Sequence, residues 1–149
     1  MISIALFKPD IPQNTAAILR LCACFKLNLQ IIEPCGFNLE DKRFKRVAMD
    51  YKRLCNIITH TNYENFVKKN SESRIVLMTT KSRKPFYSFK FKKNDILLFG
   101  RESAGVPLAL HKDIKNKLKI PISTKTRSLN VAMAAAIVSA EALKQNRLF

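Results

Sequence analysis

The stretch Asp95-Ile-Leu-Leu-Phe-Gly-Arg-Glu-Ser-Ala-Gly-Val-Pro107 decides how this chain is read. A short apolar run breaks into a glycine-bearing turn that carries one acid, Glu102, so a strand ends in a loop shaped for a ligand. Downstream, Ile120-Pro-Ile-Ser-Thr-Lys-Thr-Arg-Ser-Leu-Asn-Val-Ala-Met-Ala134 supplies a second strand end, a polar loop and the opening of an alanine-rich helix. Upstream, Ile11-Pro-Gln-Asn-Thr-Ala-Ala-Ile-Leu-Arg-Leu-Cys22 places Asn14 and Arg20 six residues apart.

Around these segments apolar runs alternate with longer amphipathic ones. Strands are expected over Ile2–Phe7, Leu27–Ile32, Arg74–Met78, Ile96–Phe99 and Leu118–Ile122, and helices over Asn14–Phe25, Tyr63–Lys69 and Leu129–Asn146. The last shows Val131, Ala134, Ala135, Val138 and Ala142 at helical spacing. The basic stretch from Phe44 to Arg53 reads as helix and loop at a sheet edge. Such alternation predicts an α/β fold with a mostly parallel sheet flanked by helices. With no long linker, repeat or low-complexity segment, residues 1–149 are expected to form one domain.

Composition narrows the function classes. Hydrophobic residues make up 47% of the chain, yet no apolar run approaches the ~20 residues of a spanning helix. The chain opens directly on the strand-like Ile2–Phe7 with no charged leader, so a cytoplasmic protein with no membrane partner is expected. Cys22, Cys24, Cys35 and Cys55 form no C-x-x-C pair, and only His60 and His111 add imidazoles; no metal site is expected. Cys22 and Cys24 read as small buried thiols of a reducing compartment.

Charge is the strongest compositional signal: 27 Lys and Arg against 11 Asp and Glu give a net charge of +16. Such an excess suits a polyanion bound through phosphate contacts. Two clusters stand out: Lys42, Arg43, Lys45, Arg46, Lys52 and Arg53 in one stretch, and Arg83, Lys84, Lys90, Lys92 and Lys93 in another. Neither carries enough acid to pair them internally.

The three opening segments together resemble the signature of the SPOUT superfamily of trefoil-knotted RNA 2'-O-methyltransferases, and within it the group that methylates the tRNA wobble nucleotide. Ile31-Ile-Glu-Pro-Cys-Gly-Phe37, Asp41-Lys-Arg43, Asp50-Tyr51 and Thr79-Thr-Lys81 extend the resemblance over nearly the whole chain. It departs at Ala16-Ala17, where the family commonly has Gly-Asn. The resemblance implies a deep C-terminal trefoil knot with S-adenosylmethionine bent into it. It also implies a homodimer formed through helices flanking the knot, and the anticodon arm of tRNA as partner. Against the cofactor it places Met78, Thr79, Gly100, Glu102, Ile120 and Ser128, with Asn130 beside them.

Each of these residues has a plainer reading. Gly100 serves a turn, Ile120 the core, and Glu102 the cap of a helix beginning near Val106. Ser128 or Asn130 is an N-cap of the last helix, and Asn14 of its own. What favours a site is joint placement: Met78, Gly100 and Ile120 all fall at strand ends, where open α/β sheets bind ligands. The G-x-G-x-x-G fingerprint of dinucleotide enzymes is absent.

The catalytic candidates are Arg20 and Asn14, Arg20 through its match to the family's arginine. A guanidinium stays protonated in proteins, so Arg20 reads better as an electrostatic clamp on the neighbouring phosphate and the 2'-oxygen than as a base. No histidine falls within the motifs. Asp41, Lys42, Arg43, Lys45 and Arg46 are the RNA-binding candidates. Two other functions compete: a non-catalytic basic RNA-binding or ribosome-assembly module, and 2'-O-methylation of ribosomal RNA or another tRNA position.

Overall fold

The computed structural model describes residues 1–148. Six strands, β1 (Ser3–Phe7), β2 (Asn28–Ile32), β3 (Ile57–His60), β4 (Arg74–Met78), β5 (Asp95–Phe99) and β6 (Asn116–Leu118), form one sheet of order β3-β2-β1-β5-β4-β6. All five pairings are parallel. Five helices connect or follow them: α1 (Pro12–Phe25), α2 (Lys42–Lys52), α3 (Tyr63–Lys69), α4 (Leu108–Asp113) and α5 (Val131–Gln145).

Alternation along the strands sorts side chains into two apolar layers. Ile4, Leu6, Val76, Met78, Leu97 and Phe99 join the larger core with Ile18, Leu19, Cys22, Phe44, Ala135, Val138 and Ala142 from α1, α2 and α5. Ala5, Phe7, Leu77, Ile96 and Leu98 face the other way, onto Phe66 of α3 and onto Ile114 and Leu110 around α4. Because both faces are covered, β1, β4 and β5 are apolar from their second residue on rather than alternating with polar residues.

Several sequence expectations shift. The helix expected from Asn14 starts at Pro12, whose missing N–H and fixed φ suit the first helical position. Strand β3 escaped the sequence reading: it has four residues, at the sheet edge, with only His60 buried. The strand expected over Leu118–Ile122 is instead Asn116–Leu118. After Leu118 the chain leaves β4, and Lys119 pairs with the 84–86 segment, its N–H donating to the Lys84 carbonyl at 2.9 Å and its carbonyl accepting from Phe86 N. Cys24, expected inside, is exposed on the outer side of α1, whereas Cys22 is buried. All four cysteines are free.

A buried ion pair holds the start of β5. Asp95 is fully buried and accepts from Arg74 Nε at 2.8 Å and Nη2 at 2.7 Å, and from Lys92 N at 2.8 Å. The Arg74 guanidinium also lies 4.6 Å from the Phe89 ring centroid. Removing Arg74 from such a pair costs about 3–5 kcal/mol, because the Asp95 charge is left buried and unmatched.

Candidate active site

Strand order reverses between β1 and β5. The crevice lies where sheets of this type place their ligands, at the carboxyl ends of β4, β5 and β6. Its cavity of about 640 Å³ lies within the range of small-molecule sites. Met78, Thr79, Gly100, Glu102, Ile120, Ser128 and Asn130, scattered between positions 78 and 130, all line it, and Asn14 joins them. Apolar walls come from Met78, Ile120, Ile122, Leu129 and Val131, and polar groups from the 100–105 loop and the start of α5.

The 100–105 loop is closed on itself. Arg101 N donates to the Gly105 carbonyl at 3.1 Å and Gly105 N returns a bond to the Arg101 carbonyl at 2.8 Å. A Cβ on Gly100 would meet Gly105 C and Cα at 2.6 Å, so the two backbones touch only because no side chain intervenes. Gly105 itself turns at φ +66°, a conformation that glycine adopts freely.

A second constraint on this loop comes from Asp10. Its carboxylate accepts from Arg101 Nη2 and from Nε at 3.2 Å, and from Ser103 Oγ at 2.5 Å and N at 3.2 Å. These donors, the Arg101 hydrogen bond foremost, hold the Asp10 carboxyl well below the usual carboxylate range. The contribution of this contact is complete at neutral pH and declines as pH falls through the range where free carboxylates titrate, since the unfolded chain takes up its proton there while the folded one stays ionised. It is gone once pH falls below Asp10's own depressed value.

Glu102 does not cap the helix near Val106; that helix, α4, begins at Leu108 after Pro107. Its carboxylate faces the start of α1, accepting from Asp10 N at 2.8 Å, Ile11 N at 3.4 Å and Asn14 Nδ2 at 3.2 Å. Ile11 has no side-chain oxygen to cap α1, and the acid from β5's loop supplies the negative charge this helix end favours. Asn14 stands inside the first turn of α1 rather than at its cap, and its Oδ1 accepts from Asn130 Nδ2 at 2.9 Å. Asn130, not Ser128, caps α5, its Oδ1 accepting from Ala132 N at 2.8 Å and Met133 N at 3.4 Å.

The result is a relay, Glu102 to Asn14 to Asn130, that ties the β5 loop to the starts of α1 and α5. A carboxylate only accepts, which fixes Asn14's NH2 toward Glu102 and its carbonyl toward Asn130. Asn14→Asp is therefore expected to disrupt the crevice more than Asn14→Ala. It sets a second carboxylate against Glu102 and removes the donor, whereas alanine only leaves the bonds unmade. Titration of S-adenosylhomocysteine against both variants checks the order; equal losses would count against the relay.

Arg20 stands apart. It is exposed, lies outside the cavity lining, and its guanidinium sits 5.4 Å from the Tyr51 ring centroid of α2. Six residues of helix put it about 9 Å along the axis from Asn14 and turned roughly 120° from it. The RNA-binding candidates form a separate patch around α2. Lys42, Arg43 and Arg46 are exposed, Lys45 pairs with Glu40, and Asp41 is the N-cap of α2, accepting from Arg43 N at 2.7 Å.

Sequence reasoning missed Asp10, Arg101, Ile122 and His111. His111, outside every motif, lines the cavity with Nε2 3.4 Å from Thr79 Oγ1. The acidic Asp10 carried a faint signal, standing immediately before the Ile11-Pro12 helix start. Among the described residues no three of His, Cys, Asp or Glu converge as a metal would require. No described helix is long and apolar enough to cross a membrane.

Comparison with known proteins gives the family. Residues 1–140 match the model of the SpoU rRNA Methylase family. The chain belongs to this family. A relative from Beijerinckia indica, a tRNA (cytidine(34)-2'-O)-methyltransferase, is 46% identical over 144 residues, covering 95% of this chain and 90% of the relative. A solved structure described as giving structural insights into the 2-OH methylation of C/U34 on tRNA superposes with a TM-score of 0.94 at 31% identity, covering 99% of this chain and 97% of the other. A putative RNA methyltransferase from Bacillus anthracis superposes with a TM-score of 0.91 at 33% identity, covering 99% and 96%.

Proposed function

We propose that this SpoU-family chain is a tRNA (cytidine(34)-2'-O)-methyltransferase, using S-adenosylmethionine to methylate the ribose 2'-hydroxyl of the wobble nucleotide, cytidine or modified uridine. The observation that carries this reading is the 46% identity, over nearly the full length of both chains, to the Beijerinckia indica enzyme of that activity. The crevice supports it independently, since every residue matched to the cofactor site lines one cavity of suitable size.

The residues present fit the cofactor. Met78, Ile120, Ile122 and Leu129 offer apolar surface for an adenine, and the bare Gly100 backbone admits close approach. Met78, Thr79, Gly100, Glu102, Ile120, Ser128 and Asn130 would hold the group, which supplies an electrophilic methyl on a sulfonium. Glu102 and Asn14 act through position: by fixing the loop and both helix starts, they keep the crevice in one shape. Displacement at the methyl needs the 2'-oxygen aligned behind it, and holding that alignment supplies much of the acceleration. Arg20 is assigned the neighbouring phosphate and the 2'-oxygen, the proton leaving to phosphate or water.

Because Arg20 lies outside its own cavity, the reading extends to a homodimer in which helix faces flanking the crevice meet. Exposed Met133 and Ile137, one turn apart on α5 and 64% and 40% exposed, support it. The return of the chain from β6, beyond β4, to α5 against α1 and β5 supports a C-terminal trefoil knot. Sedimentation at assay concentration is expected to give a dimer; a monomer would remove that part.

Lys42, Arg43 and Arg46 are assigned to the anticodon arm. Their joint replacement by alanine is expected to weaken tRNA binding and to lower the log Kd against log salt slope by about two, while sparing cofactor affinity. An unchanged slope would mark them as solvated surface. The activity itself is tested by mapping 2'-O-methylation, by mass spectrometry, in tRNA from cells with and without the gene. Loss of the mark at position 34 is expected; loss at a ribosomal or different tRNA site, or no loss, would overturn the assignment.

A further inference from the structure

The segment from Lys81 to Lys93, between β4 and β5, carries six cations and no acid. Lys81, Arg83, Lys84, Lys90, Lys92 and Lys93 are all exposed, and among the described residues none of them is in an ion pair. A run of charge on a loose loop would be ordinary solvated surface. This run is held rigidly. Phe89 and Phe91 are buried, 5.1 Å apart edge to face, and Phe86 packs against the main core.

The backbone is fastened at both flanks. Ser82 Oγ donates to the Lys117 carbonyl at 2.7 Å, and Phe86 N to the Lys119 carbonyl at 2.9 Å. At the far end Phe91 N donates to Gln145 Oε1 at 2.9 Å, and Asn146 Nδ2 to the Phe91 carbonyl at 3.3 Å. Arg74, locked on Asp95, donates to the Lys90 carbonyl at 2.9 Å.

From this platform, on a single 3-10 turn (Phe86–Ser88), projects Tyr87, with 61% of its surface exposed. Its ring is backed edge-on by Phe86 at 5.6 Å. A large aromatic held out on a rigid turn among unpaired cations is the arrangement that binds single-stranded nucleic acid, the ring stacking on a base and the cations holding phosphates. The track also starts in the right place. Lys81 lines the crevice, and the segment then carries the chain from the end of β4 back to the start of β5.

We propose that residues 82–93 form a second RNA-binding surface, distinct from α2. There Tyr87 stacks on an unpaired base of the substrate loop, and Arg83, Lys84, Lys90 and Lys92 hold the phosphates of the strand leading away from the target ribose. The proposal rests on the reading of the chain as an RNA 2'-O-methyltransferase only for the identity of the strand.

The test uses full-length protein and an unmodified tRNA transcript, with binding followed across a salt series. Tyr87→Ala is expected to weaken tRNA binding about five-fold or more, and Tyr87→Phe to restore it, since stacking needs the ring and not the hydroxyl. The triple variant Arg83→Ala, Lys90→Ala, Lys92→Ala is expected to lower the salt slope by about two. S-adenosylhomocysteine affinity should stay at the wild-type value in all of them, which also shows that they fold. Wild-type tRNA affinity and slope in these variants would overturn the surface while leaving the methyltransferase reading intact. Tyr87-dependent RNA binding without methyl transfer would uphold the surface and overturn the enzyme. A wild-type protein that binds phosphatidylserine vesicles and no tRNA would overturn the surface and the reading of tRNA as substrate.

Discussion

Gly100→Val is expected to lower affinity for S-adenosylmethionine by about a hundred-fold, about 2.7 kcal/mol, a cost of the size that added methyl groups produce when forced into a closely packed site. The reason is steric and local. A Cβ at this position would lie 2.6 Å from Gly105 C and Cα, backbone atoms held by the paired Arg101–Gly105 hydrogen bonds. The loop must open, and with it moves Glu102, whose carboxylate faces the starts of α1 and α5 through Asn14.

Gly105 provides the contrast. An added Cβ there meets nothing within 4 Å, but φ is +66°, so Gly105→Ala costs strain of about 1–2 kcal/mol without a collision. Titration calorimetry of both variants is expected to show near-complete loss for the first and a modest loss for the second. Circular dichroism should show both folded. Saturable wild-type binding by Gly100→Val would remove this loop from the cofactor site.

The architecture was readable because its signals are local and repeated. Runs such as Ile96–Phe99 and Arg74–Met78 are short, apolar and followed by turns, and helices α3 and α5 carry their own period. What failed depended on partners remote in sequence. Strand β3 is defined by its pairing with β2, and Ile57-Ile58 followed by Thr59 and His60 is too short an apolar run to mark it. Residues 119–122 look like strand continuation, yet Lys119 bonds to residues 84–86 and not to β4, which no window around Ile120 contains.

The site shows the same division. Motif order brought Met78, Gly100, Ile120 and Asn130 to one crevice, because strand ends in an open parallel sheet converge whatever lies between them. Roles within the crevice were not legible. Glu102 read as a site residue with a plainer alternative, a cap for the helix that follows it, but its carboxylate meets Asp10 N, Ile11 N and Asn14 Nδ2 at the start of α1, about ninety residues earlier. Asp10, an acid with no motif, fixes the same loop through Arg101 and Ser103. Charge pointed to a polyanionic partner without giving the local duties of the five residues assigned to RNA: Asp41 also caps α2 and Lys45 also pairs with Glu40.

Arg20→Ala is expected to lower single-turnover methylation of a tRNA transcript carrying cytidine or uridine at position 34 by about a hundred-fold or more. That is the loss found when a preorganised donor to a developing oxyanion is removed. Cofactor affinity should be nearly unchanged, because Arg20 lies outside the cavity. The loss should fall on turnover, since an interaction made only as charge develops on the 2'-oxygen leaves ground-state binding largely intact. Arg20→Lys should recover little: an ammonium is a point charge, whereas the guanidinium is a planar fork able to hold phosphate and oxygen together. The guanidinium's place over Tyr51 makes the alternative concrete. If Arg20 only steadies α2, then Arg20→Lys, which keeps a cation for the ring, would retain most activity, and Tyr51→Leu would reproduce the loss in Arg20→Ala. Near-normal turnover by Arg20→Ala at saturating tRNA would return this arginine to the surface charge that binds RNA without acting on it.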